Sequence, residues 1–180
     1  MNRHQSDSGT KKVDIKRIAL LGILFALAVV LSIAESFIPI PIPIPIPGGI
    51  KIGLSNIVIM FALLNMRKRD AFTLAVMKST FVLATRGPIA GILSLSGGLC
   101  ALSVMIIVIV ILKGRSTYLL VSVAGAVFHN IGQIMAASVI MQTFLWPYLP
   151  LLLISGIVTG LATSILLKLT SPAFQRLRLK

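Results

Sequence analysis

Four charged side chains stand within or beside apolar stretches of this sequence, where a charge needs a partner. Lys51, Lys78 and Arg86 are the cations, and Glu35 is the carboxylate among them. A charge in a hydrocarbon-like environment costs about 2.5 kcal/mol or more on insertion scales. Three cations with one carboxylate leave a surplus of positive charge that an anionic ligand would neutralise. We therefore expect a small-anion site. The alternatives are a structural Glu35 salt bridge and interfacial positions for Lys78 and Arg86.

A second group of polar residues occupies apolar runs as well. His129 and Gln133 are four residues apart and share one helix face, and Asn130 follows His129 directly. Such residues are typical both of hydrogen bonds between helices and of ligand contacts. The predicted substrate-binding set is Glu35, Lys51, Asn56, Lys78, Arg86, His129, Asn130 and Gln133.

The sequence lacks the patterns that catalysis would need. No GxxxxGK[ST] phosphate-binding loop occurs, so we expect no ATP hydrolysis by this chain. The acidic residues Asp7, Asp14, Glu35 and Asp70 are isolated from one another, so no carboxylate pair is available for Mg²⁺. We predict a protein that is not an enzyme, with no catalytic residue, metal or cofactor. Any active transport would draw on a partner or an ion gradient.

The composition indicates a membrane protein. Hydrophobic residues make up 57% of the chain and charged residues 12%, with a mean hydropathy of +1.02. A soluble domain carries about 25% charged residues. The net charge of +13 is then a signal of membrane topology and not of nucleic-acid binding.

Apolar runs and helix breakers predict an all-α bundle of six transmembrane helices. These helices cover residues 18–38, 50–65, 71–86, 89–112, 118–145 and 151–169. Proline at every second position from Pro39 to Pro47 predicts an extended first connection. The other fourteen of the 17 basic residues fall at alternate helix ends, which predicts cytoplasmic N- and C-termini. We expect a multi-pass protein of the cell membrane with a basic segment 1–17, a transmembrane domain 18–169 and a basic tail 170–180.

One short block carries a family resemblance. Residues 49–56 read G-I-K-I-G-L-S-N. This block resembles the G-x-K-x-G-L-[AS]-N signature of the Gx transporter family, which is also labelled heptaprenyl diphosphate synthase component I. The resemblance extends over about residues 18–169. The six short helices also resemble the substrate-binding S-components of energy-coupling factor transporters.

The resemblance implies an outward-facing pocket capped by residues 39–49. Ala19, Gly22 and Ala26 would dock on a membrane scaffold that carries two ATPases. The synthase label implies a different role, a non-catalytic membrane subunit that works with a soluble prenyl synthase. A stand-alone carrier that uses Glu35 or His129 as a proton site is a third reading.

Overall fold

The fold is known from a computed structural model, which describes residues 7–37, 53–112 and 117–178, with side chains between residues 15 and 169 of those ranges. Within these ranges the chain is helical, without a strand, which confirms the all-α class. The helices are α1 (Asp7–Ala34), α2 (Asn56–Asn65), α3 (Lys68–Arg86), α4 (Pro88–Ile111), α5 (Tyr118–Met141) and α6 (Leu149–Arg178). Lys51 and the proline-rich connection lie outside the described residues.

Four segments are long and apolar enough to cross a membrane. They are Ile15–Phe37, Pro88–Ile111, Tyr118–Met141 and Trp146–Leu169. Each has 23 or 24 residues, which is more than the roughly 20 needed for a hydrocarbon core of about 30 Å. The prediction of a membrane protein is thereby supported, while six crossings and cytoplasmic termini stay predictions.

α2 is the short central helix of the bundle. Its 10 residues extend about 15 Å, half of the hydrocarbon thickness. Seven of them are buried, so the helix is covered on nearly every side. α2 contacts all five other helices. Its first turn therefore begins inside the protein, where the first three N–H groups of α2 donate to the carbonyls of residues 53–55 in the turn before the helix.

Glycine lets α4 and α5 approach each other closely at the centre of the bundle. A methyl group on Gly132 of α5 would lie 2.9 Å from the Ser96 carbonyl oxygen and 3.1 Å from Gly97 Cα, both in α4. α5 also packs on α6, and α4 also packs on α3. Small residues at such crossings bring helix backbones together where no hydrophobic effect can do so.

Several predicted helix ends are wrong. α1 ends at Ala34, and a 3₁₀ turn over Glu35–Phe37 follows it. α2 begins at Asn56 and not at residue 50, because Gly53 adopts a positive φ of 89° and residues 53–55 form a turn.

The end of α5 and the outer ends of α1 and α6 differ from the prediction too. α5 ends at Met141 and not at residue 145, because Gln142 adopts a left-handed φ of 48° and its N–H bonds to the Ser138 carbonyl. α1 and α6 run across the predicted boundaries at residues 17 and 169.

Candidate functional site

The site is built around the turn that precedes α2. Glu35 follows α1 and is 5% exposed. One carboxylate oxygen accepts the Leu54 N–H, and the other accepts the Ser55 hydroxyl at 3.4 Å. Leu54 and Ser55 belong to the turn before the first residue of α2, where N–H groups have no partner inside the helix. Glu35 thus joins the end of α1 to the start of α2.

Lys78 reaches the same region from α3. It lies ten residues after Lys68, the first residue of α3, so it is about 15 Å along the helix. Its side chain is 4% exposed, and its ammonium donates to Asn56 Oδ1 at 3.2 Å. Asn56 is the first residue of α2 and is itself buried. The lysine therefore faces the interior of the bundle and not the lipid.

A small cavity opens between α1, α3, α4 and α5. Its volume is about 20 Å³, which is room for about one water molecule. The lining consists of Ser32, Glu35, Lys78, Val82, Arg86, Ala90, Leu93, Ser94, His129 and Gln133. The lining thus combines two basic side chains, one carboxylate, two hydroxyls, an imidazole and an amide.

His129 is held in a slot between two glycines. A methyl group on Gly53 would come within 2.9 Å of the imidazole ring, and one on Gly97 would come within 2.7 Å. Gln133, one turn later on α5, bonds to His129 Nε2. With the amide as oriented in the structure, its nitrogen can only donate, so Nε2 accepts and the imidazole is neutral. Nδ1 is buried and has no hydrogen-bond partner among the described residues.

The structure brings six of the eight residues predicted for substrate binding to the cavity, five in its lining and one in contact with the lining. Glu35, Lys78, Arg86, His129 and Gln133 line the cavity, and Asn56 reaches it through its bond with Lys78. Asn130 lies on another face of α5, where its amide donates to the Leu152 carbonyl at 2.7 Å and to Ser155 at 3.3 Å. Lys51, the eighth residue, lies outside the described residues. Their role in binding stays a prediction.

The predicted set omits two hydroxyl groups of the cavity. Ser32 precedes Glu35 by three residues, a spacing that places both on one helix face and that could have identified it. Ser94 of α4 lies 3.4 Å from the hydroxyl of Ser79 in α3. No spacing in the sequence links Ser94 to the cavity, because only the contact of α3 with α4 brings it there.

The predicted docking residues share one exposed face of α1. Ala19, Gly22 and Ala26 are all exposed, and no atom of the described residues lies within 4 Å of a methyl group placed on Gly22. The large apolar residues Ile18, Ile23 and Leu27 are exposed on the same helix. This surface therefore faces lipid or a partner protein.

An ion pair between Arg17 and Asp70 joins α1 to α3. Arg17 donates from Nε to both oxygens of Asp70, at 3.0 and 3.1 Å, and its Nη2 also contacts the carboxylate. Asp70 additionally accepts the Arg67 N–H at 3.2 Å, which caps the first turn of α3. This guanidinium holds the pKa of the Asp70 carboxyl below its usual range. The residues are 53 positions apart, too far for any local pattern to connect them.

The cavity has the chemistry of a binding site. Basic side chains, hydroxyls and an amide can hold an oxyanion by charge and hydrogen bonds. Within the described ranges, no group of three His, Cys, Asp or Glu side chains is placed to hold a metal ion. The arrangement can therefore recognise an anion through the side chains themselves.

Comparison with known proteins places the chain in a family. Searches of curated proteins and of solved structures returned no match. A family model described as heptaprenyl diphosphate synthase component I matches residues 24–170, which include the cavity residues and α2 to α5. The chain therefore belongs to the heptaprenyl diphosphate synthase component I family.

Proposed function

We propose that this protein is a membrane-embedded binding subunit for a small anionic molecule and works in uptake. The observation that supports the proposal is the described lining of the cavity, which holds two basic side chains, Lys78 and Arg86, and one carboxylate, Glu35. Isolated charges in a protein interior are costly, and partners of opposite charge offset the cost. An anionic ligand supplies the charge that the lining lacks.

The hydrogen bonds of Lys78 support the same proposal. An ammonium group has three N–H donors, and the one bond found for Lys78 among the described residues goes to the neutral Asn56 side chain. A lysine at this depth is expensive unless a function retains it. An oxyanion beside Nζ would accept the remaining donors and lower that cost.

The volume of the cavity limits how binding can occur. Room for about one water molecule is too small for a metabolite, whose sites span about 300 Å³ or more. Binding of anything larger than the anionic group alone therefore requires the lining side chains to move apart. Such movement is common among proteins that enclose a ligand.

The topology proposed for this function has six crossings and both termini in the cytoplasm of a cell-membrane protein. The fourteen basic residues at the predicted cytoplasmic ends support it. In this proposal the chain acts as an S-component, and the exposed strip of Ala19, Gly22 and Ala26 on α1 docks on a scaffold subunit that carries two ATPases. Small residues let another helix approach closely.

The family name favours a second candidate function. A component I subunit would assemble with a soluble prenyl synthase and present a lipidic diphosphate to it. Diphosphates are anions, so the same basic side chains would serve this role as well. The chain would then be a non-catalytic subunit, in agreement with the lack of a carboxylate pair for Mg²⁺ in the sequence.

Partner identification tests both candidates. The tagged full-length chain is purified from its native membranes in mild detergent, and the bound proteins are identified by mass spectrometry. Recovery of a membrane scaffold with two ATPases supports uptake, whereas recovery of a soluble prenyl synthase supports the second candidate. Recovery of neither would contradict both and favour a stand-alone carrier.

Matched variants of α1 sharpen the result. Gly22→Leu fills the exposed small-residue strip, whereas Ile23→Leu alters an exposed neighbour without adding bulk. We expect Gly22→Leu to reduce recovery of the scaffold at least about tenfold, since about 1.4 kcal/mol of lost contact suffices. Ile23→Leu should retain it. Equal recovery with both variants would show that this strip is not the docking face.

A further inference from the structure

We infer that Glu35 sets the charge of the anion that this cavity accepts, as a specificity-determining residue. The inference rests on the proposed function, since it requires that the cavity binds an anion. It adds the class of ligand: a singly charged group, such as a carboxylate or sulfonate, in preference to a doubly charged phosphate or phosphonate. The basis is how the Glu35 carboxylate is held and what surrounds it.

The carboxylate is fixed as a hydrogen-bond acceptor. Both oxygens accept, one from the Leu54 N–H and the other from the Ser55 hydroxyl. Two basic side chains, Lys78 and Arg86, line the same cavity, and nearby positive charge and donated hydrogen bonds both favour the ionised form of a carboxyl group. Because Glu35 is 5% exposed, water does little to screen this charge from the cavity.

The charges of the lining then sum to a small surplus. Lys78 and Arg86 carry one positive charge each, Glu35 carries one negative charge, and His129 is neutral in its contact with Gln133. The described lining therefore holds one net positive charge. A singly charged group balances it, whereas a doubly charged group brings an excess negative charge close to Glu35.

Glu35 is placed to act on the ligand through its charge and not through direct contact. Its oxygens are engaged by the turn before α2, so Glu35 does not need to bind the ligand itself. Its field still acts across a cavity that measures about 20 Å³. At an effective dielectric constant near 20, two charges a few ångströms apart still interact appreciably, so removal of the Glu35 charge should change the charge preference of the cavity measurably.

The test compares two anions of the same shape and different charge. Methanesulfonate carries one negative charge, and methylphosphonate carries two at a sufficiently alkaline pH. Each is titrated into the full-length chain in lipid nanodiscs by calorimetry at constant ionic strength. We expect the unaltered protein to prefer methanesulfonate. Glu35→Gln should change the ratio of the two affinities at least about tenfold towards methylphosphonate.

A control variant separates the effect of charge from an effect on structure. Glu35→Asp keeps the charge and should keep the preference for methanesulfonate, even if both anions bind more weakly. Glu35→Gln keeps an oxygen that can accept the Leu54 N–H, so the turn retains that hydrogen bond. An unchanged affinity ratio in Glu35→Gln would overturn the inference.

The failure of the inference can be distinguished from failure of the proposed function. Lys78→Met should weaken both anions at least about tenfold, while Lys168→Met removes an exposed lysine of α6 and should change neither. If Lys78→Met weakens binding but Glu35→Gln leaves the ratio unchanged, only the role of Glu35 is wrong. If neither anion binds the unaltered protein, the anion site and the inference are both wrong.

Discussion

Asp70 and Glu35 are both buried carboxylates, but Asp70 contacts its cation directly, whereas both oxygens of Glu35 bond to the turn before α2. Asp70 accepts two hydrogen bonds from the Arg17 Nε and one from the Arg67 N–H. Glu35 accepts from Leu54 and Ser55. Asp70 thus pairs with a guanidinium. Glu35 instead accepts hydrogen bonds from the turn before α2, and it lines the cavity together with the cations Lys78 and Arg86.

The comparison shows how the same residue types give a structural contact in one region and a candidate site in the other. Arg17 and Glu35 are 18 residues apart on α1 and its 3₁₀ extension, about 27 Å. At the first end, one carboxylate and one guanidinium form a bidentate pair, the geometry that suits arginine best. At the second, one carboxylate serves two cations across a cavity. An anionic ligand can neutralise such a surplus of positive charge inside a protein.

The largest expected effect is on stability when Glu35 is replaced by an apolar residue. Glu35→Leu should lower the free energy of unfolding by about 3 kcal/mol, because it leaves Lys78 and Arg86 without a carboxylate and the Leu54 N–H without its acceptor. Reversible denaturation in mixed micelles measures it. The double variant with Lys78→Met should recover part of the loss. An additive double variant would show that the two charges do not interact.

The next effect is steric and concerns the helix crossing beside the cavity. Gly97→Ala should destabilise the protein by about 2 kcal/mol, because the added methyl group would lie 2.7 Å from the buried His129 ring. Gly98→Ala is the matched control, since among the described residues its methyl group meets only Ala75, at 4.0 Å. Thermal unfolding of both variants measures the difference. Equal melting temperatures would show that His129 can move aside freely.

A smaller effect is expected at the Asp70 end of the comparison. Asp70→Ala removes both the Arg17 pair and the cap on the Arg67 N–H, so we expect a loss of about 1–2 kcal/mol. A double-mutant cycle with Arg17→Met should give a coupling energy of about 1 kcal/mol. Ligand affinity should not change, because this pair lies far from the cavity. A change in affinity would contradict the separation of the two regions.

The smallest effect is a dependence of stability on acidity. The Arg17 guanidinium lowers the pKa of Asp70 in the folded protein, so the unfolded chain takes up this proton first as the pH falls. The contribution of the pair is complete above the usual aspartate pKa of about 4 and disappears as the pH falls through the lowered value. Asp70→Asn should reduce the loss of unfolding free energy at acid pH. The same loss in the variant would show that other groups cause it.

The sequence was most informative where composition and spacing were sufficient. The apolar runs predicted α4 within one residue at each end, because Pro88 starts the helix and polar residues follow it. Spacing by four placed His129 and Gln133 on one face, and both line the cavity. The start of α2 was missed by several residues, because the positive φ of Gly53 and the bond from Leu54 to Glu35 depend on packing.

The sequence by itself determined that this is a helical membrane protein, because backbone groups in lipid must bond within each helix and a long apolar run leaves no other structure. It also identified Glu35, Lys78 and Arg86 as residues in need of partners, since hydrocarbon does not solvate charge. Only the tertiary structure decided which of the polar residues meet. Because of the rotation of α5 about its axis, Asn130 points towards α6 and His129 into the cavity, although the two residues are neighbours in the chain. That rotation follows from packing at close crossings, such as Gly97 against the His129 ring, and packing depends on residues far apart in sequence.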